Sequence, residues 1–448
     1  MGSVTAMVSV LLLAILLIIF LILKVRLHAF VALIVACMFV GFAMGMPLAK
    51  IGTSIEAGMG GTLGFLATVL GLGTILGKML EISGGSERLA RTLINALGKQ
   101  RAHWAMMVVG FIAGIPVFFQ VGFVLLIPLV FSVALETGMS VAMIGLPLVI
   151  ALQTVHSIVP PHPAAMAISV LLGADVGKVI MYGLLIGLPG AIIAGPIFAK
   201  YLPKMDDVKP PIHLVKTERL SDDSLPAFGI TLFTILLPLL IMVLKTIIEL
   251  NFPKDAAFMP GVNFLGNPIT ALLISVFCAY WTLGLARGLN MKQILAYTDQ
   301  CFGPVAGILL IIGAGGAFNR VLIDSGLGVG LGKVLTGLQL NPLVMAWIVS
   351  LIMRASVGSA TVAMITSAGI IIPVLASYPG LDPALVCIAI GTGAMGLSHV
   401  NDSGFWIVKE YFGFSLIDMF KSYTVAITLA SFIGLLGTLA VAKLLGQI

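Results

Sequence analysis

Charge is what this sequence has least of: Asp, Glu, Lys and Arg together make up 9% of its 448 residues, against about 25% in a soluble domain. A water-facing surface cannot be built from so few charges, which excludes an ordinary soluble enzyme. Cysteine is scarce too. Cys37, Cys278, Cys301 and Cys387 stand far apart with no CxxC spacing, so they indicate neither a disulfide framework nor a zinc site and read as apolar fillers. The motifs of hydrolytic and phosphoryl chemistry are missing as well. There is no HExxH, no GxSxG and no P-loop, and no nucleophile, base and orienting partner stand at motif spacing. No enzyme activity, metal or cofactor is therefore expected. The net charge of +6 is modest and sits in loops with no DNA-binding pattern, so nucleic acid is not an expected partner.

Apolar residues fill the space that charge leaves, at 60% of the chain. Runs such as Val4 to Leu23, Ala29 to Leu48 and Ala227 to Leu244 are each about the 20 residues that a helix needs to cross a hydrocarbon core of ~30 Å. The lipid bilayer is thus the expected surrounding, and the fold class is an all-α polytopic membrane protein. The first run is long and lacks both a basic stretch before it and a small-residue cleavage pattern after it, so it reads as a span rather than a signal peptide.

The two ends of the chain match one another at a shift of about 243 residues. Gly71 to Gly84 (GLGTILGKMLEISG) lies over Gly313 to Gly326 (GAGGAFNRVLIDSG), and Trp104, His156, Asp175 and Lys178 fall in order on Trp347, His399, Asp418 and Lys421. An ordered series of this kind points to duplication. The expected division is a first transmembrane repeat over 1–200, a cytoplasmic linker over 201–226 and a second repeat over 227–448. The linker region is the only long polar stretch. Lys24 and Arg26, then Arg88, Arg91, Lys99 and Arg101, and five Lys/Arg from Lys200 to Arg219 mark three cytoplasmic segments. Between the second and third of these an even number of crossings is required. The apolar block Trp104 to Glu136 therefore reads as a re-entrant hairpin turning near Phe118 to Gly122. Each half then has about five crossings plus one hairpin. The odd count inverts the second half, whose hairpin spans Asn341 to Leu375.

Non-helical backbone is tolerated at membrane depth only where protein or a water-lined cavity satisfies it, so breaks inside apolar segments are where function is expected. Four are visible. The hairpins turn at Pro116 to Gly122, which includes Gln120, and at Arg354 to Thr361, which includes Ser356 and Ser359. Two spans break at Val155 to Pro163 (VHSIVPPHP), around His156 and His162, and at Ser398 to Gly404 (SHVNDSG), around His399, Asn401 and Asp402. Inverted symmetry brings such broken helices together near the midplane, with half-helix N-termini turned to an anion. Ionisable groups deep in a span cost at least ~2.5 kcal/mol and default to a functional role. Arg354 suits a grip on a carboxylate. Asp402 suits the binding and release of a proton, as do histidines such as His156. Ser356, Ser359 and Thr361 also read as small residues that help helices pack. Lys78, Glu81, Arg320 and Asp324 lie at span ends, where snorkelling explains them. A channel would need a continuous polar lining, and a few clustered breaks fit an occluded site better.

The stretches GGTLGFLATVLGLGTILGKMLEISGG, VHSIVPPHPAA, LLIIGAGGAF, GSATVA and SHVNDSGFW, in this order, resemble the gluconate permease family, which also holds D-serine and sugar-acid carriers. The resemblance implies proton-coupled uptake of gluconate or a related hydroxy-carboxylate across a bacterial inner membrane, with a D-serine:proton symporter as the alternative. It also implies a superfamily with inverted repeats, opposed hairpins and often a dimeric scaffold, which leaves a homodimer open. The expected partners are thus a small carboxylate and protons. The substrate residues expected at the breaks are Arg354, Ser356, Ser359, Thr361, His162, His399, Asn401 and Gln120, with Asp402 and His156 in proton coupling. Gln120 stands where members of the family usually carry an acid. Ala164-Ala165 after PPHP is similar to the D-serine branch, whereas Arg354 and the HVND of His399 to Asp402 are similar to the gluconate branch.

Overall fold

The computed structural model describes residues 4–115, 119–202, 221–253, 255–327, 340–375, 377–399 and 402–447, and these hold helices and turns with no strand. Part of the first hairpin's turn (116–118), most of the linker (203–220) and Asn401 lie outside the described residues. Before the linker run α1 Val4–Leu23, α2 Ala29–Ala43, α3 Leu48–Ile82, α4 Gly85–Leu97, α5 Ala102–Ala113, α6 Phe119–Thr137, α7 Val141–Ile158, α8 Pro163–Leu171 and α9 Val176–Ile197. After it come α10 Phe228–Asn251, α11 Met259–Leu265, α12 Pro268–Arg287, α13 Met291–Cys301, α14 Gly303–Asp324, α15 Pro342–Val357, α16 Ala360–Leu375, α17 Pro383–Gly393, α18 Ser403–Phe412 and α19 Leu416–Leu444. Among the described residues seven helices or helix pairs are long and apolar enough to cross a membrane: α3, α7 with α8, α9, α10, α12, α14 and α19.

Local sequence sets the ends of these helices. Proline stands in the first turn of α8, α12, α14, α15 and α17, where its missing N–H has no intrahelical acceptor to lose. Ser140 and Asp175 cap α7 and α9 by accepting from Met143 N and Lys178 N, which satisfies amides that a helix start leaves open. Gly84, with φ 73°, follows the last turn of α3 and allows the sharp bend into α4.

Burial sorts the spans into layers. In α7 with α8, 94% of the apolar window is buried by protein, against 39% for α3, α10 and α12. The first is thus a central helix sheathed by its neighbours, and the others turn about half of their surface outward to lipid. Close approach between helices rests on missing side chains. A Cβ on Gly58 of α3 would meet Ala317 Cα and Gly316 O of α14 at 2.6 Å, and one on Gly391 of α17 would meet Ser157 O of α7 at 2.4 Å. The α3–α14 crossing is antiparallel: Gly58 lies against Gly316 and Ala317, Leu63 against Gly313, and Gly71 faces Phe302.

Ion pairs mark two opposite faces. On one, Arg88 donates to Pro226 O (2.8 Å), and Arg91 pairs with Asp222 (2.9 Å). On the other, Lys245 pairs with Asp175 (3.5 Å), Lys178 pairs with Asp382 (3.3 Å), and Asp382 N donates to Gln447 Oε1 (2.8 Å). Helix α10 starts beside the first group and ends beside the second. The segment before α5 and the end of α6 lie together, Lys99 Nζ 3.2 Å from Glu136 Oε1. With only 12 residues, α5 rises about 18 Å, too little to cross the core alone.

Basic loops gather on the Arg88 face, so that face is expected in the cytoplasm. In a cysteine-free background, a membrane-impermeant thiol reagent added to intact cells should label Asp255→Cys and leave Ser221→Cys untouched; both positions are exposed. The reverse labelling pattern would overturn this orientation.

Candidate functional site

The second hairpin and the broken span α17–α18 bring two opposite charges together in the interior. Helix α15 ends at Val357, and Gly358 (φ 80°) turns the chain. Arg354, in the last turn of α15, folds its guanidinium under that turn and donates from Nη1 to Gly358 O. Its Nη2 meets the Asp402 carboxylate in an ion pair whose two side chains are 2% and 6% exposed. Asp402 is also the N-cap of α18, accepting from Gly404 N at 2.8 Å through Oδ1, while its Oδ2 accepts from Ser398 Oγ. One carboxylate thus serves a cation, a hydroxyl and a helix start at once. This degree of satisfaction is what allows a charge to stay buried. Arg354 Nε has no partner among the described residues.

The neighbouring positions frame this pair. His399 Nε2 lies 2.9 Å from Ala355 O, tying the break before α18 to the end of α15. Ser359 Oγ accepts from Val362 N at 3.3 Å and caps α16. Ser356 and Thr361 flank the turn, half-buried. His156 at the end of α7 and His162 before α8 face each other with ring centroids 3.8 Å apart. Both are buried, and His156 Nδ1 has no hydrogen-bond partner among the described residues.

Phe119, the first residue of α6, joins the two groups. Its ring lies edge-on to His156 at 6.4 Å, and a Cβ on Gly404 would come 3.0 Å from its Cε1. Gln120 follows it, exposed in the first turn of α6. Three of the four breaks therefore meet around Phe119 and Gly404, with His399 tying on the fourth, and α6, α8, α16 and α18 all begin at them. Helix starts carry partial positive charge, and Arg354 adds a full one. The arrangement sets a cation, the carboxylate that balances it and two imidazoles beside these helix starts.

Sequence comparison decides the family: a model described as GntP family permease matches residues 6–445. The chain belongs to the GntP permease family. Its curated relatives include a gluconate permease of Pseudomonas aeruginosa, 45% identical with 95% of each chain covered. The D-serine transporter DsdX of Escherichia coli K12 is 48% identical over 96% of this chain and 97% of its own. A high-affinity gluconate transporter of the same strain is 41% identical over 95% and 97%. The fold is similar to that of two solved membrane transporters. One is MtrF of Neisseria gonorrhoeae, with a TM-score of 0.63 at 16% identity over 87% of this chain and 84% of that one. The other is YdaH of Alcanivorax borkumensis, with 0.59 at 17% over 88% and 89%. The chain is a multi-pass transporter of a bacterial inner membrane.

Of the expected site residues in this permease, Arg354 and Asp402 are in direct contact, His399 and Ser359 brace the same turn, and His156 and His162 face each other beside Phe119. Gln120, Ser356 and Thr361 stand at the same turns, Gln120 exposed and the other two half-buried. Lys78 and Arg320, set aside at the span ends, pair with Glu81 (2.8 Å) and Asp324 (2.9 Å). Sequence reasoning missed Ser398, Phe119 and the acceptor role of Gly358 O. Ser398 was the findable one, because a hydroxyl four residues before an Asp at a helix start is placed to hydrogen-bond that carboxylate.

Proposed function

We propose that this permease takes up gluconate or a related small hydroxy-carboxylate together with a proton, and that the Arg354–Asp402 pair couples the two. The buried pair at the meeting point of the breaks carries this reading. With no substrate bound, Asp402 neutralises Arg354. A substrate carboxylate that takes the guanidinium leaves Asp402 buried without its cation, a state that costs several kcal/mol and is relieved when Asp402 takes up a proton. Proton and carboxylate therefore bind best together, as symport requires. His156 is the alternative proton site.

In the same reading the chain is two inverted halves, 1–200 and 227–448, joined by the linker 201–226. The antiparallel α3–α14 crossing supports it. Ser83 and Ser325, matched in sequence, both have φ −76° and ψ −11°, and their glycines have φ 73° and 72°. Yet they close helices that run in opposite directions, Asp324 accepting from Ser54 near the start of α3 at 2.7 Å.

D-serine is the second reading, supported by the identity to DsdX and by the pair itself. A zwitterion could set its carboxylate on Arg354 and its ammonium on an ionised Asp402. The deciding experiment is uptake by proteoliposomes under an imposed inward proton gradient, comparing labelled gluconate, D-serine and other sugar acids. Gluconate accumulation abolished by a protonophore is the expected result. Accumulation of D-serine alone would transfer the assignment, and gluconate equilibration indifferent to the gradient would mean a facilitator.

A further inference from the structure

The non-helical segment before α18 is held from the last span, α19. Thr424 donates from Oγ1 to Ser398 O at 2.6 Å, and Leu397 N donates to Thr428 Oγ1 at 3.0 Å. The Tyr423 hydroxyl reaches the Ser398 side chain as well. Ser422, Thr428 and Thr438 of the same span give their hydroxyl protons to the carbonyl four residues earlier, a common arrangement in membrane helices. Thr424 gives its own to the break instead. It does so from the end of a π-helical segment, Phe420–Thr424, and such widened turns are frequent at functional positions.

The backbone that these threonines hold is strained. Leu397 has φ 52°, one of two non-glycine residues with positive φ among the described residues. In that region Cβ crowds the following carbonyl oxygen, so the conformation persists only where the surroundings fix it. The next residue, Ser398, donates to Asp402, and Asp402 N donates to His399 O at 2.9 Å. Leu397 itself is 38% exposed. The segment that carries the buried carboxylate thus starts at the surface of the chain, in a conformation that would relax if released.

We infer that Thr424 and Thr428 are positioning residues for coupling: by pinning Leu397 and Ser398 they leave the displaced Asp402 carboxylate no place but its buried one. The inference rests on the coupling reading above. There, substrate draws in a proton because a carboxylate deprived of Arg354 is left buried and unpaired. A break free to relax would carry the carboxylate away or let water reach it, and substrate could then cross without its proton. Arg354 of α15 and Tyr423 of α19 face the same carboxylate, and His156 of α7 lies within electrostatic range of Arg354. Substituting the threonines removes none of these groups.

The steady accumulation ratio of labelled gluconate in proteoliposomes under an imposed proton gradient tests this, because it reports coupling and not the amount of folded carrier. Thr424→Val keeps the shape of the side chain and removes the hydroxyl. With one proton per substrate, a gradient of one pH unit sustains about a tenfold ratio, and that of Thr424→Val should fall toward unity. Counterflow exchange should keep its wild-type half-saturation concentration, since it needs the Arg354 grip and no net proton. Thr424→Ser, which keeps the hydroxyl, should keep the ratio, and Thr428→Val, which frees Leu397 N, should lower it as Thr424→Val does. A wild-type ratio in Thr424→Val overturns the proposal whatever happens to the rate of uptake, since a slower carrier with full coupling means a structural role. So does a ratio that falls equally in Thr424→Ser. Wild-type protein that exchanges gluconate but builds no ratio would instead sink the coupling reading, and the positioning role with it.

Discussion

Arg354→Ala is expected to weaken substrate binding by about ten- to hundredfold, the value of one charge-assisted hydrogen bond of about 1.5–3 kcal/mol to a carboxylate. The truncation does two things. It removes the grip on the anion, and it strands the Asp402 carboxylate, a buried charge whose loss of partner typically costs about 3–5 kcal/mol of stability. The two effects separate in the double variant Arg354→Ala/Asp402→Asn, which no longer buries an unpaired charge. It should recover the melting temperature of the wild type and still bind gluconate about ten- to hundredfold more weakly. Arg320→Ala is the control. That guanidinium is 52% exposed and pairs with Asp324 four residues on, and exposed pairs are worth about 0–1 kcal/mol. Equal effects from Arg354→Ala and Arg320→Ala on the half-saturation concentration would remove Arg354 from the site. Arg354→Lys should behave almost as badly as alanine, because one ammonium cannot hold Gly358 O and a carboxylate in the fork geometry that the guanidinium provides.

The second large effect concerns coupling. Asp402→Asn keeps a side-chain oxygen to cap α18 at Gly404 N, and its amide nitrogen can donate to Ser398 Oγ in place of the bond that the carboxylate accepts, so the turn should survive. It removes the charge that competes with the substrate for Arg354, and it removes the proton that substrate binding draws in. Gluconate exchange between labelled and unlabelled pools should therefore persist, with an affinity equal to or tighter than that of the wild type. Accumulation driven by a pH gradient should vanish. An Asn variant that still concentrates gluconate on a proton gradient alone would clear Asp402 of the coupling role and move it to His156. D-serine separates the two readings of substrate: its ammonium needs the Asp402 carboxylate, so the Asn variant should lose D-serine binding while keeping gluconate exchange.

Much of this was legible in the chain because lipid is a strict solvent. A run of about 20 apolar residues has few fates other than a span, and a histidine, an arginine or an Asp inside one is conspicuous by its cost. The four breaks were visible for the same reason, as prolines, glycines and small polar residues in stretches that otherwise read as continuous helix. The hairpin expected over residues 104–136 follows from charge parity, and the contact of Lys99 with Glu136 is consistent with it. Phe119 could not be singled out this way, because one phenylalanine among 24 carries no mark of position.

The sequence by itself determined the membrane environment, the helical class, the places where helices break and the identity of the ionisable residues at those breaks, because each is a matter of local composition against the cost of burial. Which of those residues meet was decided only by the tertiary structure. Arg354 and Asp402 are 48 residues apart, and nothing in their spacing says that they neutralise one another, that Ser398 shares the carboxylate, or that Phe119 of α6 lies against Gly404. Contacts of that kind depend on how the close packing of α7 against α17 at Gly391, and of α3 against α14 at Gly58, sets the breaks relative to each other. Packing of that sort is a property of surfaces in three dimensions, and pattern along one dimension does not contain it.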